Sequence, residues 1–224
     1  MHSNTGKPDR RRARTKQLLY EALMSLVLEK GAENVTVTDI AGRADVNRGT
    51  FYLHYRDVPD MLQQLKDEVF NRIRTEVEKL DKAEAWAYAD RDEAYPQSVA
   101  IFDTLAAHAD FLRAMFGPLG DMSYALRFRQ LFTEHVYEKA KDMPERKSSM
   151  PPDYFAAYVT SANFGLLMHW IGSGMNLTSE EMARIMIRTM HYGPLVALGL
   201  KEAPAGGKRV GGEGMNGDGP SGPS

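Results

Sequence analysis

Val35-Thr36-Val37-Thr38-Asp39-Ile40-Ala41, followed after a short break by Val46-Asn47-Arg48-Gly49-Thr50-Phe51-Tyr52-Leu53-His54-Tyr55, is the stretch whose reading decides the fold. Thr36 is a good N-cap, and Asp39 three residues on can answer its backbone amide, so residues 37–44 read as a two-turn helix with Ile40 and Ala41 facing inward. Asp45-Val46-Asn47 is then a turn, and Asn47 can cap a helix over residues 48–55. Helices this short are unstable alone and serve mainly as a platform that presents one of them to a groove. Ala41 is small where the two cross, Val46 plugs the turn into the core, and Phe51 anchors the inner face. Arg48, Thr50, Tyr52 and His54 remain for the outer face, where they can donate to phosphate oxygens or base edges. The positive end of the helix dipole at Asn47 and Arg48 favours an anion nearby.

Helical periodicity continues on both sides. Upstream, Leu19, Leu23, Leu26, Val27 and Lys30 follow i, i+4, i+7 spacing in a helix from near Asp9 to Lys30, with Gly31 in the C-terminal stop position. Downstream, Asp57 followed by Pro59 starts a long helix over 58–85. Further helices are expected over 96–107, 110–116, 121–141, 152–174 and 178–198, with breaks at Gly117-Pro118, 143–152 and 176–178. Only residues 34–38 show a strand-like cluster of β-branched side chains, so the chain reads as all-α. Residues 9–57 form a helix-turn-helix domain in this reading, and 58–202 a second helical domain. Residues 1–8 and the Gly- and Pro-rich 203–224 cannot bury enough apolar surface to offset their ordering entropy and are expected to be disordered.

Composition narrows the function. The 224 residues include no cysteine, which removes disulfide frameworks, Cys-ligated zinc and cysteine nucleophiles. No apolar run approaches a membrane span and no secretion signal is visible, so a cytoplasmic location is expected. The formal net charge of -2 hides an asymmetry: residues 1–56 carry ten basic and six acidic side chains, and the remainder carries an acidic excess. A basic head on an acidic body suits a polyanion-binding module joined to something else. His108, His135, His169 and His191 show no metal-ligand spacing, and neither a metal site nor a cofactor is expected. There is no Gly-rich phosphate loop, nucleophile elbow, HExxH or suggestive carboxylate pair, so an enzyme is disfavoured.

The two stretches quoted first resemble the DNA-binding signature of the tetracycline-repressor (TetR) family, over about residues 14–65. The resemblance implies that the third helix enters the major groove of double-stranded DNA, with Arg48 and Thr50 reading base edges. Tyr52, His54 and Tyr55 would hold the backbone, and Thr36 and Thr38 would touch phosphates. Two positions depart from the pattern: Asp45 stands where Gly is usual, although Asp tolerates a left-handed turn, and Val58 stands where a Lys commonly reaches a phosphate. Arg10, Arg11, Arg12, Arg14 and Lys16 precede the module and read as a flexible basic arm that neutralises phosphates.

The two C-terminal long helices are rich in small residues, among them Ala162 and Gly165, which let helices approach closely. A head that reads a palindromic operator needs a two-fold partner, and these helices can supply it as an intermolecular four-helix bundle. Ala162, Gly165, Leu166 and Ile187 are the candidate dimer contacts. The stretch Tyr158 to Ile171, with Leu177 to Ala183, resembles a C-terminal domain of the family branch related to regulators of dihydroxyacetone metabolism. Between head and dimer helices the family resemblance implies a small-molecule effector pocket, and the Met- and aromatic-rich middle suits an adaptable one. Phe102, Met115, Phe116 and Phe128 are its candidate apolar lining, and His135, Tyr158, Asn163 and His169 its candidate polar contacts. The expected protein is a homodimeric, ligand-responsive transcriptional regulator, most simply a repressor. The alternative is a family-like protein-interaction module, such as a coactivator, that has given up operator binding.

Overall fold

The computed structural model describes residues 6–141 and 150–201, and every described regular element is helical. Of the segments expected to be disordered, residues 1–5 and 203–224 lie outside the described part, as does most of the expected break over 143–152. Residues 6–8 already belong to the first helix. That helix, α1, spans Gly6–Lys30, because Pro8 is tolerated in a first turn and the Arg- and Ala-rich run behind it contains no breaker. The basic cluster is therefore helical and exposed from Arg10 to Arg14, rather than a flexible arm.

Gly31, at φ +82°, turns the chain into a short 3-10 segment, Ala32–Asn34. The β-branched cluster beyond it makes no strand, because Thr36 is consumed as the N-cap of α2, Val37–Arg43. Its side chain accepts from Asp39 N while Asp39 Oδ2 accepts from Thr36 N, the reciprocal cap that the sequence suggests. Asp45 occupies the left-handed region at φ +52°, taking the role a glycine would have. Asn47 caps α3, Arg48–Tyr52, through Gly49 N, and α3 is one turn shorter than expected. Leu19, Leu23, Val27, Ile40 and Phe51 are all sealed from solvent and bind the three helices together.

Asp57 accepts from Asp60 N and starts α4, Val58–Glu78, which carries the chain into the body. Val58 is buried and faces the core, so it offers nothing to a phosphate. The helix expected to reach residue 85 stops early. Lys79 donates back to Glu76 and Val77 as a C-cap, and Asp81 then starts α5, Lys82–Asp90, by accepting from Glu84 N. The remaining helices are α6, Pro96–Ala107, α7, Ala109–Phe116, α8, Met122–Lys141, α9, Pro152–Gly172, α10, Ser179–Tyr192, and α11, Pro194–Ala197. The last expected helix is thus split in two. Gly193 at φ +80° and Pro194, which has no N–H to give, break the ladder between α10 and α11.

The body core is an aromatic cluster where α4, α7 and α8 meet: the Phe128 ring lies 5.1 to 5.5 Å from those of Tyr124, Phe70 and Phe116. The same corner is tied to α4 by polar contacts. Lys66 Nζ lies 2.7 Å from Asp121 Oδ2, Tyr124 donates to the Lys66 carbonyl at 2.8 Å, and Arg127 stacks on Phe70 while pairing with Asp67. Partial burial works to raise the Asp121 pKa and is outweighed by the hydrogen bonds from Lys66 and Ser123, which hold it at about 2. Gly120 packs so closely on the Met115 carbonyl that a Cβ would sit 2.1 Å from it, so no other residue fits this corner.

Candidate nucleic-acid interface and cavity

The head sorts its basic groups into two sets. At its rear, Lys30 pairs with Asp39 at 2.8 Å, and Arg43 grips Glu29 with both terminal nitrogens at 2.7 and 2.8 Å. Hydrogen bonds from Arg43 and Ser25 hold the Glu29 carboxyl down to about 2, and those from Lys30 and Thr36 hold Asp39 well below the usual carboxylate range. These cations lock α2 onto α1 and are not free for a polyanion. At the front, Arg48 is exposed at the N-terminus of α3, beside exposed Tyr52 and partly exposed Thr50 and His54. Among the described residues Arg48 makes no ion pair. Burial, then Lys16 and Arg12 nearby, push the His54 pKa below its ordinary value, so the free protein holds this imidazole neutral in a positive field.

Two expected contacts are placed otherwise. Tyr55 is only 6 % exposed and packs on Phe51 at 5.7 Å, beneath the outer face. Its i+4 relation to Phe51 is the signal that places it inside. The Thr36 hydroxyl lies 2.6 Å from Asp39 Oδ2 and is engaged in the cap, whereas Thr38 is exposed.

In the body, α5, α6, α8, α9 and α10 line a cavity of about 230 Å³ that is partly open to solvent. Phe102, Phe132, Phe155, Phe164 and Leu167 form much of its wall, and Trp86, Met190 and His191 also line it. Of the candidates, Phe102, His135 and Asn163 are on this wall. The other candidates are elsewhere. Met115, Phe116 and Phe128 are buried in the core under α4, where their volume is already used. Tyr158 and His169 point away on the exposed side of α9, because the inner face repeats through Ala156, Val159, Thr160, Asn163, Leu167 and Trp170. Sequence reasoning missed His191, whose Nε2 lies 3.0 Å from Asp90 Oδ1, since the partner is 101 residues away.

The outer side of α9 presents Tyr154, Tyr158, Ser161, Ala162, Gly165 and His169, all exposed. Nothing lies within 4 Å of where a Cβ on Gly165 would be. Leu166 is half-buried, and Ile187, expected at a dimer contact, is instead buried beside Ala89 and Tyr95 and lines the cavity. Exposed Ile185, Leu195 and Leu198 extend an apolar surface along α10 and α11. No described helix is long and apolar enough to cross a membrane, and no group of three or more potential metal ligands comes together among the described residues.

Comparison with known proteins bears on both halves. Residues 19–65 match the family model of bacterial regulatory proteins of the tetR family, and residues 92–192 match a transcriptional regulator C-terminal region of that family. An uncharacterized HTH-type transcriptional regulator of Bacillus subtilis, YxbF, is 23 % identical over 180 residues. That match covers 79 % of the chain but 44 % of the relative, so the chain spans less than half of that protein's length. Among solved structures, a TetR transcriptional regulator from Streptococcus agalactiae superposes with a TM-score of 0.53 at 23 % identity, covering 84 % of this chain and 99 % of that one. NalD of Pseudomonas aeruginosa, the secondary repressor of the MexAB-OprM multidrug efflux pump, gives 0.54 at 18 %, covering 81 % and 96 %. Such likenesses speak to the fold. The two family models, covering well over half of the sequence between them, carry the assignment: the chain belongs to the TetR family of transcriptional regulators.

Proposed function

We propose that the protein works as a homodimeric repressor that leaves a palindromic operator when a small molecule fills the cavity. The observation that carries the DNA-binding part is the sorting of charge in the head: Lys30 and Arg43 are neutralised between α1 and α2, while Arg48 stands at the N-terminus of α3 with no ion pair among the described residues. An Arg so placed suits the O6 and N7 atoms of a guanine, with Thr50 beside it. Tyr52, His54, Thr38 and the exposed Arg10 to Arg14 turns of α1 serve the phosphates. Two such heads must be held about 34 to 36 Å apart to meet successive major grooves. The bare outer side of α9, with Ala162, Gly165, Tyr158 and His169, is the surface proposed for that pairing, together with Ile185 on α10.

The route from cavity to head is short. Phe132, His135 and Val136 on α8 line the cavity, and one to three turns earlier on the same helix Tyr124, Arg127 and Phe128 grip α4, whose other end is fixed to the head. A ligand that displaces α8 moves α4, provided it binds one head spacing better than the other. A coupling of about 1 to 3 kcal/mol makes a useful switch. Capturing genomic fragments on the purified full chain at low salt, then footprinting them, tests the reading. The expected product is a short imperfect palindrome bound by a dimer. Retention of no fragment overturns it and leaves the interaction-module reading.

A further inference from the structure

The cavity's chemistry defines a class of ligand. Among the described residues no Lys or Arg lines it, and the one carboxylate on its wall, Asp81, is occupied in capping α5 through Glu84 N. Among the described lining residues only the imidazoles of His135 and His191 could offset the charge of a phosphate or carboxylate, and His191 already pairs with Asp90 at 3.0 Å; burying such a charge without a full partner is costly. The wall is mostly aromatic and aliphatic, and its volume of about 230 Å³ is below the ~300–1,000 Å³ usual for drug-sized ligands. A single ring or a short chain fits.

One wall residue carries an unmet demand. The Thr160 hydroxyl donates to the Ala156 carbonyl at 2.7 Å and lies 3.0 Å from Thr133 Oγ1. Asn163, one turn further along α9, is different: its Oδ1 is buried without a hydrogen-bond partner among the described residues. Leaving a buried acceptor unsatisfied costs about 1 to 3 kcal/mol, so such atoms in folded proteins call for an explanation. Here the acceptor belongs to a residue of the cavity wall, and the terminal torsion of an Asn side chain is soft enough to turn it toward an incoming group.

We propose that the cavity takes a small, neutral, largely apolar molecule whose single hydrogen-bond donor, a hydroxyl or N–H, is received by Asn163 Oδ1. This rests on reading the cavity as the effector site and adds the polarity and position of the contact. Hydroxyl-bearing aromatic or short aliphatic compounds fit; their methyl isosteres lack the donor, and their carboxylates bring a charge for which the described wall holds no Lys or Arg.

The test uses the full-length chain and three probes, 4-ethylphenol, 4-ethyltoluene and 4-ethylbenzoate, with affinities from calorimetric titration of the parent and of Asn163→Leu. The phenol-to-toluene affinity ratio is expected to fall about tenfold in the variant, a comparison that cancels the probes' different hydration. The benzoate should bind the parent at least tenfold more weakly than the phenol. An unchanged ratio, a benzoate that binds as well as the phenol, or no binding by any probe overturns the proposal. If Asn163→Leu fails to fold, the phenol-over-benzoate preference of the parent decides alone. DNA retention, measured in parallel, separates this inference from the reading beneath it. A phenol that binds in an Asn163-dependent way without changing DNA affinity upholds the ligand class and sinks the effector role. A different inducer that releases DNA, while the phenol ratio ignores Asn163, upholds the effector role and sinks the ligand class.

Discussion

The head and the body are built from the same material, short capped helices around aromatic anchors, yet they hold their working groups in opposite ways. In the head the charged groups between α1 and α2 are paired, as Lys30 with Asp39 and Arg43 with Glu29, whereas Arg48 on α3 faces solvent without an ion pair among the described residues. In the body the buried side-chain atom left without a partner among the described residues, Asn163 Oδ1, is inside, on the wall of a space that apolar side chains do not fill. A surface complement to a polyanion can be rigid and wet, because water competes for it until the partner arrives. An internal site has no such interim partner, and an unsatisfied atom there is paid for continuously. The first region is suited to a large, strongly charged partner and the second to a small, weakly polar one.

The comparison can be broken most forcefully at an anchor. Phe51→Ala removes the fully buried ring that joins the three head helices, and such truncations cost about 3 to 5 kcal/mol. Proton NMR or circular dichroism with limited proteolysis should show the head loosened and the body still folded. Simultaneous loss of both would mean that the two regions are one cooperative unit. Next in size is Gly165→Leu. Open space surrounds this residue within one chain, so the variant should keep its monomer stability, and a dimer packed across α9 should weaken by about 1 to 3 kcal/mol. Sedimentation that finds the dimer unchanged moves the interface away from this face.

Smaller effects probe the joint and the surface. Asp121→Asn weakens the grip of α8 on α4 and should lower stability by about 1 kcal/mol near neutral pH, given the partial exposure of the pair. Because the folded pKa is depressed to about 2, this contribution is present above the unfolded carboxyl value of ~3.9 and is lost as pH falls toward 2. Acid titrations of the parent and of Asp121→Asn should converge over that window; parallel curves would remove the pair from the account. Smallest is His54. Its pKa is depressed in the free protein and a DNA phosphate would raise it, so binding takes up protons and DNA affinity should rise as pH falls from about 8 to 6. His54→Gln should flatten that slope, and an identical slope in both proteins would place His54 away from the phosphates.

Much of the head was legible because its determinants are local. The caps at Thr36, Asn47 and Asp57 each act within three residues, and the left-handed Asp45 sits at a turn the hydrophobic pattern already demands. Tyr55 was given to the DNA backbone by the resemblance, although its i+4 relation to Phe51 places it beneath the outer face. The body was less legible, since its site is a space between five helices. Heptad arithmetic could have done better on α9: Tyr158 is four residues before Ala162, and His169 four after Gly165, so both belong with the proposed dimer face and not with Asn163. The contacts of Lys66 with Asp121 and His191 with Asp90, across 55 and 101 residues, left no trace in sequence spacing.

The central claim is that the outer face of α3 reads DNA sequence, and it meets its most direct test in competition binding. The captured operator fragment is titrated against random-sequence duplex at one fixed salt concentration, for the parent and for Arg48→Ala. The account predicts that the specific-to-random affinity ratio falls about fivefold to hundredfold in the variant, as expected for losing an Arg–base contact, while random-duplex affinity changes far less. An unchanged ratio, with both affinities reduced together or not at all, would contradict it.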